Sequence, residues 1–285
     1  MNNSQINKLK NRIFKYFAFA CTCVGLIVLA VLLIDTLSKG FSRIDWDFIT
    51  SLPSRIPSRA GIYTALLGMI WILVLTVIIS FPIGIGAGVY LEEYSRKNRF
   101  ANFVEINISN LAGVPSIIYG ILGLELFGRV LGLGNSLLTG SLTLSLLVMP
   151  IIIVSTREAI KAVPSSLREA SYGLGASKGQ TVWRVVLPSS FGSILTGLIL
   201  AMSRAIGETA PLIVIGALVY VPFAPTSPMD EFTVLTIQIF NWTSRPQPGF
   251  VTNAAAAIII LLTFTFVMNG IAVVIRNYFN KKTKF

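Results

Sequence analysis

The chain has 285 residues, 54% of them apolar by type and only 12% charged, with a mean hydropathy of +0.75. Soluble domains carry roughly 25% charged residues, so half that share excludes an ordinary soluble enzyme and indicates lipid as the solvent for much of the chain. The formal charge of +11 does not indicate nucleic acid, because the basic residues flank long apolar runs instead of clustering on one soluble face.

There is no histidine, and both cysteines, Cys21 and Cys23, fall inside the first apolar run. That leaves no zinc-like spacing and no disulfide framework, and metal catalysis is not expected. Lys8, Lys10, Arg12 and Lys15 precede an uncharged run from Tyr16 to Ile34. A secretory signal has this charge order, but its apolar region is only about 7–15 residues long. The longer run predicts a retained first span with a cytoplasmic N-terminus.

Asp35 to Ala60 is polar and is expected on the external side, although Lys39, Arg43, Arg55 and Arg59 strain that placement. Gly61 to Leu91 is free of charge and predicts a second span kinked at Pro82. Gly84, Gly86 and Gly88 near its end fit close helix packing better than ligand binding, since the dinucleotide fingerprint requires a soluble βαβ unit. Glu92, Glu93, Arg96, Lys97 and Arg99 mark a cytoplasmic turn.

Residues 100–113 predict an interfacial helix, and Pro115 opens a third span reaching about Leu131. Glu125 and Arg129 near its outer end are spaced to pair as an anchor. A glycine turn at Gly132 and Gly134 leads to a fourth span, Ser136 to Thr156. The fifth is expected from Phe191 to Val219, followed by an external loop with Pro222, Pro225 and Pro228. The apolar run within EFTVLTIQIFNWTSRPQ (Glu231 to Gln247) is too short to cross, and predicts a re-entrant or surface segment. A last span from Thr252 to Ile275 ends in Arg276, Lys281, Lys282 and Lys284.

Between the fourth and fifth spans, Val163 to Pro188 predicts a helix–turn–helix. Pro164 stops the incoming helix, and Ser166-x-x-Glu169 has capping-box spacing for a helix starting at Leu167. Gly173 and Gly175 can end it. Ser177-x-x-Gln180 offers a second box, and Pro188 the next boundary. Cap spacing alone fits either an ordinary connector or a structured elbow.

The residues themselves add a resemblance. Glu169-Ala170, Gly175, Val185, Leu187 and Pro188 are similar to the cytoplasmic signature of ABC-importer permeases: E-A-A, three residues, G, nine residues, a β-branched aliphatic, one residue, L-P. Ser171 replaces the second alanine and Val185 the usual isoleucine. The resemblance implies that this loop rests in a cleft of a separate ATPase, with Glu169, Ala170 and Gly175 at the contact.

In the fifth span Arg204 and Glu208 stand one helical turn apart in otherwise uncharged sequence. Each such charge costs roughly 2.5–3.5 kcal/mol near the bilayer centre, so the pair should face the bundle or a watery cavity. One reading is an ion pair that fixes packing. The other is an anion path, because a guanidinium is a permanent, planar fork of donors matching a tetrahedral oxyanion. Gly207 and Pro211 would loosen the helix there.

Arg204 with Gly207-Glu208-Thr209-Ala210-Pro211 resembles the R-x-x-GETAP stretch of phosphate importer permeases of the PstA type. Tyr90 to Tyr94 (YLEEY), Pro115 to Gly120 (PSIIYG) and Gln238 to Trp242 (QIFNW) resemble the same family. The resemblance implies an all-α integral membrane protein with six transmembrane helices, an ABC type-1 importer permease fold and a cytoplasmic coupling helix. It divides the chain into residues 1–61 (N-terminus, first span, external loop), a permease domain at 62–277 with its coupling loop at about 161–188, and a basic tail at 278–285.

It implies a multi-pass protein of the bacterial inner (plasma) membrane with both termini cytoplasmic, forming half of a phosphate pathway through Arg204 and Glu208. Its partners would be a second permease of the PstC type, an ATPase dimer and an extracytoplasmic phosphate-binding protein. No Gly-Lys dipeptide occurs, so no P-loop is present. ATP and Mg belong to the partner ATPase, and no catalytic residue or cofactor is expected in this chain. Two alternatives stay open: a permease for phosphonate, sulfate or molybdate, and a secondary transporter or channel.

Overall fold

A computed structural model describes residues 3–95, 99–217 and 220–282. Arg96, Lys97, Val219 and Lys284, each part of an expectation above, lie outside the described residues. Helix dominates because a chain in lipid must satisfy its backbone groups within each segment. Among the described residues the only strand-like pairing is an isolated bridge between Ser136 and Glu231.

The helices are α1 (Asn3–Gly40), α2 (Trp46–Thr50), α3 (Tyr63–Val89), α4 (Arg99–Leu111), α5 (Ser116–Gly123), α6 (Leu137–Lys161), α7 (Ser165–Gly173), α8 (Lys178–Thr181), α9 (Leu187–Gly207), α10 (Ala210–Ile215), α11 (Leu235–Thr243) and α12 (Pro248–Lys282). Three widened π turns, Tyr90–Tyr94, Leu124–Val130 and Val182–Val186, extend α3 and α5 and join α8 to α9. Among the described residues five helical stretches are long and apolar enough to cross a membrane. A sixth is reached only by counting α4 with the Ser116–Val130 segment as one span bent by 102°; that segment by itself, the expected third span, falls short of the length needed. That bend leaves α4 a separate helix, as its mixed composition indicates.

The core is the α3–α6 pair, with α9 across it and α5 and α10 on the flank. Close approach is possible because small residues face bulk. A Cβ on Gly84 would lie 2.6 Å from Ile152 Cγ2, and one on Gly88 2.7 Å from Thr156 Cβ. Gly86 meets nothing within 4 Å. Two of the three glycines therefore pack helices, on one face four residues apart. Along α6, Ser141, Thr143 and Ser145 each donate to the carbonyl four residues back at 2.7–2.8 Å, so their hydroxyls enter the apolar core satisfied.

The long first helix packs mainly on α12, and its apolar side chains from Ile13 to Ile34 are largely exposed. The 35–60 segment is ordered by its own charges. Lys39 Nζ reaches Asp35 at 2.7 Å. Arg43 donates to Asp45 at 3.0 Å, to the carbonyls of Ser58 and Ala60, and to Asn253 Oδ1 at 3.2 Å. Its guanidinium also covers the Phe48 ring at 4.9 Å, and Phe48 joins Trp242 and Phe250 in a buried aromatic cluster. Two of the four basic residues that strained the topology are thus neutralised locally. The short run before α12 forms α11, whose Trp242 is fully buried. It lies on α12 and α3 and does not span.

Two boundaries differ from expectation. Pro188 does not break the chain: helix runs from Lys178 to Gly207, and the π turn just before Pro188 accommodates its ring and missing N–H. The fifth span does not run to Val219. It ends at Gly207, where Glu208 turns extended (ψ 127°), and α10 restarts the helix at Ala210. Pro211, in the first turn of α10, has no N–H to continue the earlier ladder.

Candidate functional site

The elbow after α6 is built by two different devices. Pro164 begins α7 directly, with φ −57° and ψ 138° and no side-chain cap. The expected Ser166–Glu169 box does not form, because the helix starts two residues before Leu167 and Ser166 already lies within its first turn. At the other end Gly175 adopts φ +81°. Ala176 N–H donates to Ser171 O at 3.2 Å and Gly175 N–H to Tyr172 O at 2.9 Å, the paired bonds of a glycine stop. The second box does form: Ser177 Oγ accepts from Gln180 N–H at 3.3 Å, and Gln180 Oε1 accepts from Ser177 N–H at 2.8 Å.

Ser171, which stands where the family pattern has alanine, shares a 2.9 Å hydrogen bond with the Thr181 hydroxyl and braces α7 against the turn of α8. Glu169, Ala170 and Gly175 are all exposed on this elbow. Leu174, 89% exposed, stands beside them. Trp183 is exposed further along. Neither stood out in the sequence, since an apolar residue in an apolar chain carries no signal of its own.

The inner side of the elbow is held by ion pairs whose partners are 65 and 75 residues apart in sequence. Arg168 reaches Glu93 at 2.8 Å and Arg157 reaches Glu92 at 3.4 Å. Arg157 also bonds Glu105 on α4 at 2.8 Å. In the sequence these residues register only as charge marking one side of the membrane.

The second site is the break between α9 and α10. Arg204 in the last turn of α9 donates from Nε to Glu208 Oε1 at 3.2 Å. The structure therefore brings the two expected residues together, although Glu208 has left the helix. The Arg204 side chain is 42% exposed and that of Glu208 only 15%. Glu208 borders a small crevice lined by Met69, Leu73 and Leu144 of the α3–α6 pair and by Thr236. The Thr236 hydroxyl is buried there and has no hydrogen-bond partner. Packing of Gly120 against Pro211, where a Cβ would come within 2.7 Å of the proline Cα, sets α5 against the break.

A bundle of helices long and apolar enough to cross a membrane, with a glycine-stopped elbow and an interrupted helix carrying an ion pair, has the build of a membrane permease. The profile described as binding-protein-dependent transport system inner membrane component matches residues 80–283, and the chain belongs to that family. It is 32% identical over 280 residues to the probable ABC transporter permease protein YqgI of Bacillus subtilis, covering 93% of this chain and 94% of that protein. It is 34% identical to the phosphate transport system permease protein PstA of Mycobacterium leprae, with 90% and 86% covered. Among solved structures, a bacterial alginate ABC transporter in complex with an alginate pentasaccharide-bound periplasmic protein aligns at a TM-score of 0.68 and 14% identity. That alignment covers 93% of this chain and 94% of that one, and shows the shared fold. The chain is an ABC importer permease with an all-helical membrane fold.

Proposed function

We propose that this permease carries inorganic phosphate and that Arg204 is the group the anion meets in the membrane. The observation carrying this reading is the Arg204–Glu208 bond at an interrupted helix. It engages Nε and leaves the Nη edge of the guanidinium, which no other hydrogen bond among the described residues occupies. A tetrahedral oxyanion can take two donors from that edge. Glu208 holds the fork while the path is empty, and its negative charge opposes permanent retention of an anion. The similarity to a phosphate transport permease supports phosphate as the oxyanion.

Energy enters at the elbow. Glu169, Ala170 and Gly175 contact a separate ATPase dimer, which holds ATP and Mg; this chain performs no covalent chemistry. The elbow and both termini are cytoplasmic, the 35–60 segment and α11 are external, and the permease domain spans 62–277. A second permease of the PstC type completes the pore, and an extracytoplasmic phosphate-binding protein delivers the anion. Rocking of the helix bundle then switches access from outside to inside.

The test is phosphate uptake by the assembled complex carrying Arg204→Gln. Uptake is expected to fall to background while the variant still assembles with its companions. Normal uptake would make the pair architectural. Competition by sulfate, molybdate or phosphonate as effective as that by unlabelled phosphate would move the substrate to another oxyanion.

A further inference from the structure

The ion pairs behind the elbow lie far from the oxyanion site, and the mechanism above gives them no role. Arg168, in the middle of α7, is only 18% exposed and Glu93 only 8%. The guanidinium donates twice to Glu93 Oε1, at 3.1 Å from Nε and 2.8 Å from Nη2. It also donates to Val163 O at 2.7 Å and Ile160 O at 3.0 Å. Those carbonyls belong to the last turn of α6 and the residues after it, where the regular helical ladder gives way to a tighter turn. One side chain therefore ties α7 both to the π-helical end of α3 and to the end of α6.

We propose that Arg168 is the positioning residue through which motion of the coupling helix reaches the transport path. This inference rests on the reading of α7 as the ATPase contact. The chain of contacts is continuous. Arg168 grips Glu93 and the end of α6. Gly84 on Ile152 and Gly88 on Thr156 hold α3 and α6 as one packed pair. The same two helices supply Met69, Leu73 and Leu144 to the crevice beside Glu208. Arg157, bonded to Glu92 and Glu105, adds α4 to the same body. A push on α7 thus moves α3 and α6 together, and with them the wall of the crevice. Without the Arg168 link, the main packing of α7 among the described residues is on the α8–α9 segment, with the Ser171–Thr181 hydrogen bond.

The experiment uses the whole complex in proteoliposomes, with inorganic phosphate taken up counted per ATP hydrolysed. Arg168→Gln is expected to leave assembly and ATP hydrolysis within about twofold of wild type. Phosphate moved per ATP should fall about tenfold, the scale of losing one link in a packed coupling chain. Glu93→Gln should act in the same direction, and it leaves the guanidinium on its two carbonyls, so it decides the matter if Arg168→Gln fails to assemble. The double variant should be no worse than Arg168→Gln alone, because both remove one interaction. An unchanged ratio in either assembled variant, or additive losses in the double, would overturn the proposal. Phosphate transport by the wild-type complex without ATP hydrolysis would instead remove the coupling reading itself, before any variant is compared.

Discussion

At the residue scale the informative side chains are those whose charge has a single well-placed answer. Glu208→Gln keeps a hydrogen-bond acceptor for Arg204 and removes the charge that competes with an anion. Charge-assisted hydrogen bonds contribute roughly 1.5–3 kcal/mol, so the variant should bind phosphate about tenfold or more tightly and turn over more slowly. Uptake kinetics would show a lower KM together with a lower kcat. Asp230 gives a second case, outside the membrane. Its Oδ2 accepts from Thr226 N–H at 2.7 Å, Ser227 N–H at 2.8 Å and the Thr226 hydroxyl at 3.2 Å. These bonds, the backbone pair first, hold the carboxyl below its ordinary value. A depressed folded pKa stabilises the turn above the unfolded value and loses that support as pH falls through the folded one. The protection factor of the Thr226 and Ser227 amides, corrected for the intrinsic pH dependence of exchange, should be constant above about pH 5 and fall only below about pH 4. In Asp230→Asn the protection should be weaker already at neutral pH.

At the scale of elements, close helix packing is the quantity to perturb. A Cβ on Gly68 of α3 would lie 2.1 Å from the Thr233 carbonyl oxygen, which is backbone and cannot step aside. Gly68→Ala should destabilise by about 1–3 kcal/mol, as overpacking does. Gly86→Ala, on the open face of the same helix, should stabilise by up to about 1 kcal/mol through helix propensity alone. Thermal unfolding of the two variants in detergent separates them, and equal effects would contradict the packing described for α3. The break between α9 and α10 belongs to this scale too. Gly207 and Pro211 indicate a loosened helix in the sequence, but hydropathy continues unbroken past them and so hides the actual end. Pro188 misleads in the opposite sense: a helix-breaking residue is tolerated because the π turn before it removes the clash.

For the whole molecule the decisive matter is which end of the bundle faces which compartment. In a variant with Cys21 and Cys23 replaced by alanine, Ser58→Cys should react with an impermeant thiol reagent from outside intact cells. Ser166→Cys should react only after the membrane is opened. Both positions are exposed on the chain, so in cells expressing the permease without its ATPase partner access reports sidedness. The reverse pattern would invert the topology and remove the elbow from any cytosolic partner. Arg43 shows why the charge rule strained at residues 35–60. It counts positive residues without knowing that Asp45, two backbone carbonyls and Asn253 absorb this one.

The sequence by itself determined the solvent, the approximate spans and the place of the elbow, because those depend on local content: long uncharged runs, a proline stop, a glycine stop and the second capping box each act within a few residues. It also marked Arg204 and Glu208, since a charge in an apolar run stands out without any neighbour. Only the tertiary structure decided what those residues meet. Arg168 with Glu93 and Arg157 with Glu92 lie 75 and 65 residues apart, and Gly68 meets Thr233 only after the chain has returned from α10. Contacts of that range arise from how α3 and α6 pack in three dimensions, and local physics in one segment carries no information about which distant segment will arrive beside it.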